Sequence, residues 1–95
     1  MELSVTNKEK ALEVNHNKLE HKFIVKVQDF TAYVLYSIKE GTLTITSTYV
    51  PKPLEGQGIA SALTKACYNY AIKEDLAITA TCSYAVAWLK RNKSN

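Results

Sequence analysis

The chain has 95 residues, of which 46% are hydrophobic and 22% are charged, so its composition indicates one small globular domain and excludes disordered and fibrous classes. The net charge of +3 gives no argument for nucleic-acid binding and is compatible with a small anionic ligand. No apolar stretch approaches the roughly 20 residues that span a bilayer, and MELSVTNKEK lacks the apolar core of a signal peptide. We therefore expect a single cytoplasmic domain over residues 1–95, without a membrane partner.

The first half of the chain predicts an antiparallel meander of four strands, because apolar and polar residues alternate there with a period of two. The first strand, Leu12 to Asn17, has the weakest alternation, and HKFIVKVQDF contains the second. TAYVLYSIKEGTLTITSTYV supplies the third and fourth strands on either side of a KEG turn. Gly41 in this turn can adopt the positive φ that a tight hairpin requires.

A helix, a strand and a second helix are predicted after Pro51 and Pro53, where the hydrophobic period changes from two to about three and a half. The apolar face of the first helix should pack on the sheet and is formed by Ile59, Ala62, Leu63, Ala66, Tyr70 and Ala71. LAITATC, from Leu76, predicts a largely buried parallel strand, and SYAVAWLKRN predicts the last helix. The expected fold is mixed α/β (α+β), in the order β-β-β-β-α-β-α.

Two of the three glycines, Gly56 and Gly58, lie at the start of the predicted first helix, in the segment EGQGIA. A helix amino terminus has about four N–H groups without intrahelical partners and about half a positive charge, so it attracts anions. The N–H groups that would point into one small volume belong to Gln57, Gly58, Ile59 and Ala60. A pyrophosphate fits such a volume. In the alternative, Gly56 only turns the chain and Gly58 only permits close packing of the helix on a strand.

The segment TYVPKPLEGQGIASALTKACYNYA resembles motif A of the GNAT superfamily of acetyl-coenzyme A (acetyl-CoA) dependent N-acetyltransferases. The signature of that motif is Gln or Arg, two residues, Gly, one residue, and Gly or Ala. It falls here on Glu55, Gly58 and Ala60, with Glu55 in place of the usual Gln or Arg. With its small size and the later TCSYAVAWLK, the chain is most similar to a short, minimal GNAT-like family, over about residues 12 to 92.

This resemblance implies a site for acetyl-CoA as cosubstrate, without a metal. In GNAT proteins the strand before the glycine turn exposes its backbone to the pantetheine amides, which here implies backbone contacts from Tyr49 and Val50. The turn would bind the phosphates, with the negative Glu55 side chain pointing away from them. The implied coenzyme-binding residues are therefore Tyr49, Val50, Glu55, Gly56, Gln57, Gly58, Ile59 and Ala60.

Cys82 and Tyr84 are the candidate catalytic residues. Cys82 ends a predicted strand and begins a helix, where the helix field lowers a thiol pKa and favours the reactive thiolate. Cys82 could accept the acetyl group, and the resemblance implies that a cysteine in this segment is a suspected active-site residue. In the alternative, Cys82 packs as a small hydrophobic residue. Many GNAT enzymes have, at the position that Leu89 occupies here, a tyrosine that acts as the general acid. Tyr84, about one turn earlier, is a candidate for that role or a core or rim residue.

The remaining candidate residues are predicted to be structural. We interpret Cys67 as a packing residue within the long helix and Trp88 as part of the core or of a pocket wall. His16 and His21 have no Cys or carboxylate residues at metal-ligand spacing, so they are predicted to be surface residues.

The leading functional prediction is an acetyl-CoA binding N-acetyltransferase that acts on an unidentified amine. A chain this short lacks the extra helices that cover the acceptor side in larger GNAT proteins, so an open acceptor surface, suited to a protein lysine or amino terminus, is expected. The alternatives are a non-catalytic coenzyme A binding module and a protein-interaction domain that has retained the GNAT fold. The bare glycine turn favours coenzyme binding over interaction, and it does not separate a catalyst from a binder.

Overall fold

The computed structural model describes residues 13–93, which form a five-stranded mixed sheet and two helices. The strands are β1 (Val14–Asn17), β2 (Lys22–Val27), β3 (Phe30–Lys39), β4 (Thr42–Tyr49) and β5 (Ala77–Ala80). The helices are α1 (Ile59–Lys73), which follows a short 3₁₀ turn at Lys52–Leu54, and α2 (Ser83–Lys93). The predicted mixed α/β fold and its element order are confirmed, while Leu12 lies outside the described residues. No helix in this range is long and apolar enough to cross a membrane.

Strands β1 to β4 form the predicted antiparallel meander, and β4 pairs in parallel with β5. The turn between β3 and β4 consists of Glu40 and Gly41, whose φ angles are 51° and 78°. Positive φ at both central residues is what a two-residue hairpin turn requires, because it matches the twist of the flanking strands. The predicted role of Gly41 is therefore confirmed.

The core lies between α1 and the sheet face that α1 covers. The buried side chains on the sheet side are Phe23, Val25, Ala32, Val34, Tyr36, Leu43 and Ile45. From α1, the buried apolar side chains are Ile59, Leu63, Cys67 and Ala71, which recur at the spacing of one helical face. Because burying one leucine or isoleucine side chain contributes about 1.5–3 kcal/mol, this face holds α1 firmly on the sheet. The start of α1 is thereby fixed beside the end of β4.

Strand β4 leaves β5 half-way along its length. The parallel pairing ends at Ile45 and Ala80, followed by one hydrogen bond of 3.0 Å from the N–H of Thr81 to the carbonyl of Ile45. Thr46 comes next as an extra residue opposite β3, where the register of β3 with β4 shifts. Such a β-bulge bends the strand that contains it. The rest of β4, as far as Tyr49, pairs with β3 but not with β5, so a gap opens between β4 and β5.

Strand β5 is half exposed, whereas the sequence predicted a largely buried strand. Ala77 and Thr79 are exposed, and Ile78 and Ala80 are partly buried against the core. The physical reason is that β5 is the edge of the sheet among the described residues, where β4 is its one neighbouring strand. An apolar run of this length does not distinguish an edge strand from a central one.

His16 lies in a partly buried aromatic cluster, so its prediction as a surface residue was wrong, whereas His21 is exposed as predicted. The His16 ring stacks on Phe23 with the centroids 3.9 Å apart, and its Nε2 lies 2.6 Å from the hydroxyl of Tyr36. The ring of Tyr70 of α1 packs edge-on against the ring of His16, with the centroids 4.4 Å apart. Burial lowers the pKa of His16 and raises the pKa of Tyr36 to about 12. Within residues 13–93 neither histidine belongs to a group of side chains that could hold a metal ion.

Candidate functional site

The chain turns sharply between the end of β4 and the start of α1. Pro51 is buried and leads into the short 3₁₀ turn at Lys52–Leu54. Gly56 and Gly58 then have φ angles of 82° and 79°. Residues with a Cβ disfavour this left-handed region because the Cβ approaches the backbone carbonyl oxygen. The predicted glycine turn is therefore present, and α1 begins directly after it, at Ile59.

The space in front of both glycines is open. Within residues 13–93, a Cβ placed on Gly56 or Gly58 would meet no atom within 4 Å beyond the glycine itself and its two chain neighbours. The alternative that Gly58 permits close packing of the helix on a strand is therefore wrong. The two glycines set the direction of the backbone and leave the end of α1 accessible.

The amino terminus of α1 has no side-chain cap among the described residues. Gly58 is the N-cap residue, and its carbonyl accepts the first helical hydrogen bond, 3.0 Å from the N–H of Ala62. The N–H groups of residues 59–61 have no acceptor within residues 13–93, and the first turn contains no acidic side chain. The Gln57 amide donates to the carbonyl of Pro53 at 3.4 Å and does not cap the helix. The positive end of the helix dipole therefore faces open space.

Two adjoining pockets lie in front of this helix end. The smaller one, of about 240 Å³, is lined by Val50, Leu54, Glu55, Gly56, Gly58, Ile59, Ala60, Ser61 and Tyr84. The larger one, of about 450 Å³, extends along the end of β4 and is lined by Thr48, Tyr49, Val50, Glu55, Ala60 and Tyr84. Together they form a continuous surface from the glycine turn to the gap between β4 and β5.

All the residues that the resemblance implied for coenzyme binding line these pockets, except Gln57. Tyr84, one of the two candidate catalytic residues, lines both. The sequence did not single out Thr48, Leu54 or Ser61, which complete the walls. Ser61 had a local signal, because the third residue of a helix lies on the same turn as its N-cap. Thr48 had none, since its importance depends on the bulge that parts β4 from β5.

Cys82 is the N-cap residue of α2, because its carbonyl accepts the hydrogen bond from the N–H of Val86 at 2.9 Å. Its Sγ lies 3.6 Å from Oγ1 of Thr48, so the two side chains bridge the gap between β4 and β5. Burial would raise the pKa of Cys82, but hydrogen bonds from the N–H of Ala85, the Thr48 hydroxyl and the N–H of Tyr84 lower it overall. As predicted, Cys82 begins a helix and has a lowered pKa, but the prediction that it ends the strand was wrong, because β5 ends at Ala80. Its catalytic role stays a prediction.

Comparison with known proteins decides the family. Residues 22–95 match the family model described as GCN5-related N-acetyl-transferase. The chain belongs to the GCN5-related N-acetyltransferase family. The resemblance read from motif A is thereby confirmed.

Individual known proteins are similar to this chain over most of their length. Protein NATD1 from Xenopus tropicalis is 31% identical over 85 residues, which cover 86% of this chain and 78% of the relative. Protein NATD1 from Homo sapiens is 30% identical, over 85% of this chain and 74% of the relative. The NMR solution structure of a "GCN5-like putative N-acetyltransferase" from Staphylococcus aureus superposes with a TM-score of 0.69 at 30% identity, over 88% of this chain and 83% of that one.

The predictions that Cys67 and Trp88 are structural residues of this N-acetyltransferase domain are also confirmed. Cys67 is fully buried on the core face of α1, and burial raises its pKa to about 12. Trp88 is buried, and its ring meets Tyr68 of α1 edge-on with the centroids 5.7 Å apart. The two cysteines of the domain thus have opposite pKa shifts, which provides a test within one molecule.

We expect iodoacetamide to alkylate Cys82 at pH 7 faster than a model thiol of ordinary pKa, because more of Cys82 is thiolate. The rate should fall as the pH falls through the lowered pKa of the folded protein. Thr48→Val removes a hydroxyl that stabilises the thiolate, so it should move the rate profile to higher pH. Cys67 should stay unlabelled in the folded protein. Site-resolved mass spectrometry over a pH series measures all three.

The matched control for this measurement is Thr44→Val, the same substitution on the same strand at a residue that pairs with Thr79 of β5. It should leave the Cys82 profile unchanged. A Cys82 rate at pH 7 equal to that of the model thiol would contradict the lowered pKa.

Proposed function

We propose that this domain binds acetyl-CoA at the amino terminus of α1 and transfers its acetyl group to an amine. The observation that carries the proposal is the uncapped first turn of α1, whose N–H groups adjoin an open pocket of about 240 Å³. Helix ends of this kind attract phosphate groups, because unpaired N–H donors and the helix dipole act together. Family membership supports acetyl-CoA as the phosphate-bearing ligand, since GNAT proteins use it.

The residues of the turn fit a diphosphate. Gly56 and Gly58, which are separated by one residue, both have positive φ, the left-handed backbone conformation that occurs in anion-binding nests. Hydrogen bonds from N–H groups to an anion are about twice as strong as those between neutral groups. Glu55 is exposed at the rim of both pockets, and we expect its carboxylate to point to solvent when the diphosphate is bound.

The open edge of β4 fits the pantetheine arm of the coenzyme. Beyond Ile45, β4 has no neighbouring strand on its β5 side within the described residues. Backbone groups of Tyr49 and Val50 are therefore candidates to pair with the two pantetheine amides, as a strand pairs with its neighbour. An arm laid along this edge would direct the thioester toward Cys82 and Thr48, which face each other across the gap.

Acetyl-CoA supplies an acetyl group that is activated as a thioester. We infer that the Cys82 thiolate, stabilised by N–H groups of α2, attacks the thioester carbonyl carbon. A carbon–sulfur bond to Cys82 forms, the bond to the coenzyme sulfur breaks, and the coenzyme leaves as a thiol after gaining a proton. The acceptor amine then takes the acetyl group from Cys82 and loses a proton. Tyr84 lines both pockets, and its hydroxyl is the candidate proton donor to the leaving sulfur.

The acceptor side of the site is open. Tyr49 is 49% exposed beside the larger pocket, and its ring lies 5.3 Å from that of Tyr33 on the sheet face that α1 does not cover. Tyr33 is partly buried, so the pair is partly exposed, and such a pair can accept a cationic side chain over its rings. This arrangement supports an extended acceptor, such as a lysine or amino terminus on another protein, over a small enclosed metabolite.

Two measurements on the wild-type protein test the proposal. Calorimetric titration with coenzyme A should show saturable binding at one site, and intact mass after incubation with acetyl-CoA alone should show one added acetyl group on Cys82. Absence of coenzyme binding would overturn the proposed site. Binding without acetylation of Cys82, and without transfer to a panel of lysine peptides and polyamines, would overturn the proposed transferase activity. The domain would then be a coenzyme-binding module.

A further inference from the structure

One hydrogen bond connects α2 to the wall of the smaller pocket. The indole Nε1–H of Trp88, the one tryptophan of the chain, donates to the hydroxyl oxygen of Ser61 at 3.0 Å. Trp88 is 4% exposed, so this bond is shielded from water on the α2 side. Ser61 is partly buried in the first turn of α1 and lines the pocket with Gly58 and Ala60. Ser61 therefore lies between a buried hydrogen-bond donor and the pocket.

This bond determines what the Ser61 hydroxyl can do. A serine hydroxyl has one proton to donate and two lone pairs to accept with, whereas an indole N–H can only donate. Trp88 therefore occupies a lone pair of Ser61 and leaves the hydroxyl proton free. Helical hydroxyls often donate to the carbonyl four residues earlier, and Thr64 does so to Ala60 at 2.8 Å. Within residues 13–93, Ser61 makes no such bond.

We propose that the Ser61 hydroxyl donates to a phosphate oxygen of the ligand in this pocket, and that Trp88 is the positioning residue that orients it. This inference rests on the proposed function, since it requires a phosphate-bearing ligand at the start of α1. The first-turn N–H groups and the hydroxyl would then converge on one anion. A donor whose rotation is already restricted loses less freedom on binding, so the indole bond strengthens the contact without touching the ligand.

Affinity for two ligands tests the inference: coenzyme A, which has the phosphates, and pantetheine, which lacks them. Ser61→Ala should weaken coenzyme A binding by about tenfold, because a hydrogen bond to a charged group is lost. Trp88→Phe, which keeps a ring but removes the N–H, should weaken it by about threefold. Neither variant should change pantetheine binding. The double variant should be no weaker than Ser61→Ala alone, since Trp88 acts through Ser61.

A second measurement does not depend on the tolerance of the buried Trp88 to substitution. The single indole N–H resonance of the wild-type protein should shift on adding coenzyme A and stay in place on adding pantetheine, and Thr64→Val should not alter this response. Unchanged coenzyme A affinity in Ser61→Ala would overturn this inference alone, as would equal losses for both ligands in Trp88→Phe. Absence of coenzyme binding by the wild-type protein would overturn the proposed function as well.

Discussion

Gly58→Asp should weaken coenzyme A binding by at least about 100-fold, because it adds a negative charge at the helix end. The new carboxylate would lie beside the uncapped N–H groups of α1, where it would neutralise the positive helix end and repel the diphosphate. At an effective dielectric of about 20, two like charges about 4 Å apart repel by ~4 kcal/mol, and 1.4 kcal/mol corresponds to a factor of ten. Calorimetric titration measures the loss.

Two controls separate charge from backbone strain. Gly58→Asn adds a side chain of similar size without the charge, and both Asn and Asp tolerate the left-handed region, so its loss should be no more than about tenfold. Gly41→Asp places the same residue at a glycine with φ of 78° and open space around it, but in the β3–β4 turn. It should lower Tm by a similar amount and leave coenzyme affinity unchanged. Equal losses for the Asp and Asn variants of Gly58 would contradict a charge effect.

Cys82→Ser should eliminate covalent acetylation and lower the rate of transfer to an amine by at least about 1,000-fold, because a serine hydroxyl is not ionised near neutral pH. Serine is also a favourable N-cap residue, so α2 should keep its start and the protein its fold. Cys82 lines neither of the two pockets, and coenzyme A affinity should therefore stay within about threefold of the wild-type value. Intact mass, steady-state transfer rates and calorimetry measure the three effects separately.

Cys67→Ala is the matched control for this experiment. It removes the other thiol of the chain, which is buried and has its pKa raised to about 12, so it should leave acetylation of Cys82 unchanged. Transfer by Cys82→Ser at the wild-type rate would exclude the covalent route and indicate direct attack by the amine on the thioester. Acetylation at Cys67 in the folded wild-type protein would contradict the assignment of the two thiols.

Features that depend on neighbouring residues were predicted from the sequence. Period-two alternation predicted the meander, the prolines after Tyr49 marked its end, and the three-to-four spacing from Ile59 to Ala71 predicted the buried face of α1. The glycine turn was predicted for the same reason, since the need for positive φ is a property of single residues. The prediction of acetyl-CoA as the ligand had a different basis, because it came from the resemblance to GNAT motif A.

Features that depend on distant residues were missed. Cys82 meets Thr48 across 34 positions of sequence, and Trp88 meets Ser61 across 27. Periodicity indicates which face of an element is buried, but it does not indicate which residue of another element that face will meet. His16 was misassigned for the same reason, because its partner Tyr36 is 20 positions away. The catalytic roles of Cys82 and Tyr84 and the contacts of the coenzyme stay predictions.

The order of the strands in the sheet has a consequence for how the molecule assembles. The strands lie side by side in the order in which they occur in the chain, so the meander forms through short turns that are entropically inexpensive to close. The pocket walls, in contrast, include Thr48 and Tyr84, which meet only after α1 has crossed the sheet and β5 has docked. We therefore expect the meander to fold early and the ligand pocket to be completed last. A partly folded chain in which β1 to β4 are paired but β5 has not docked would lack a complete ligand pocket.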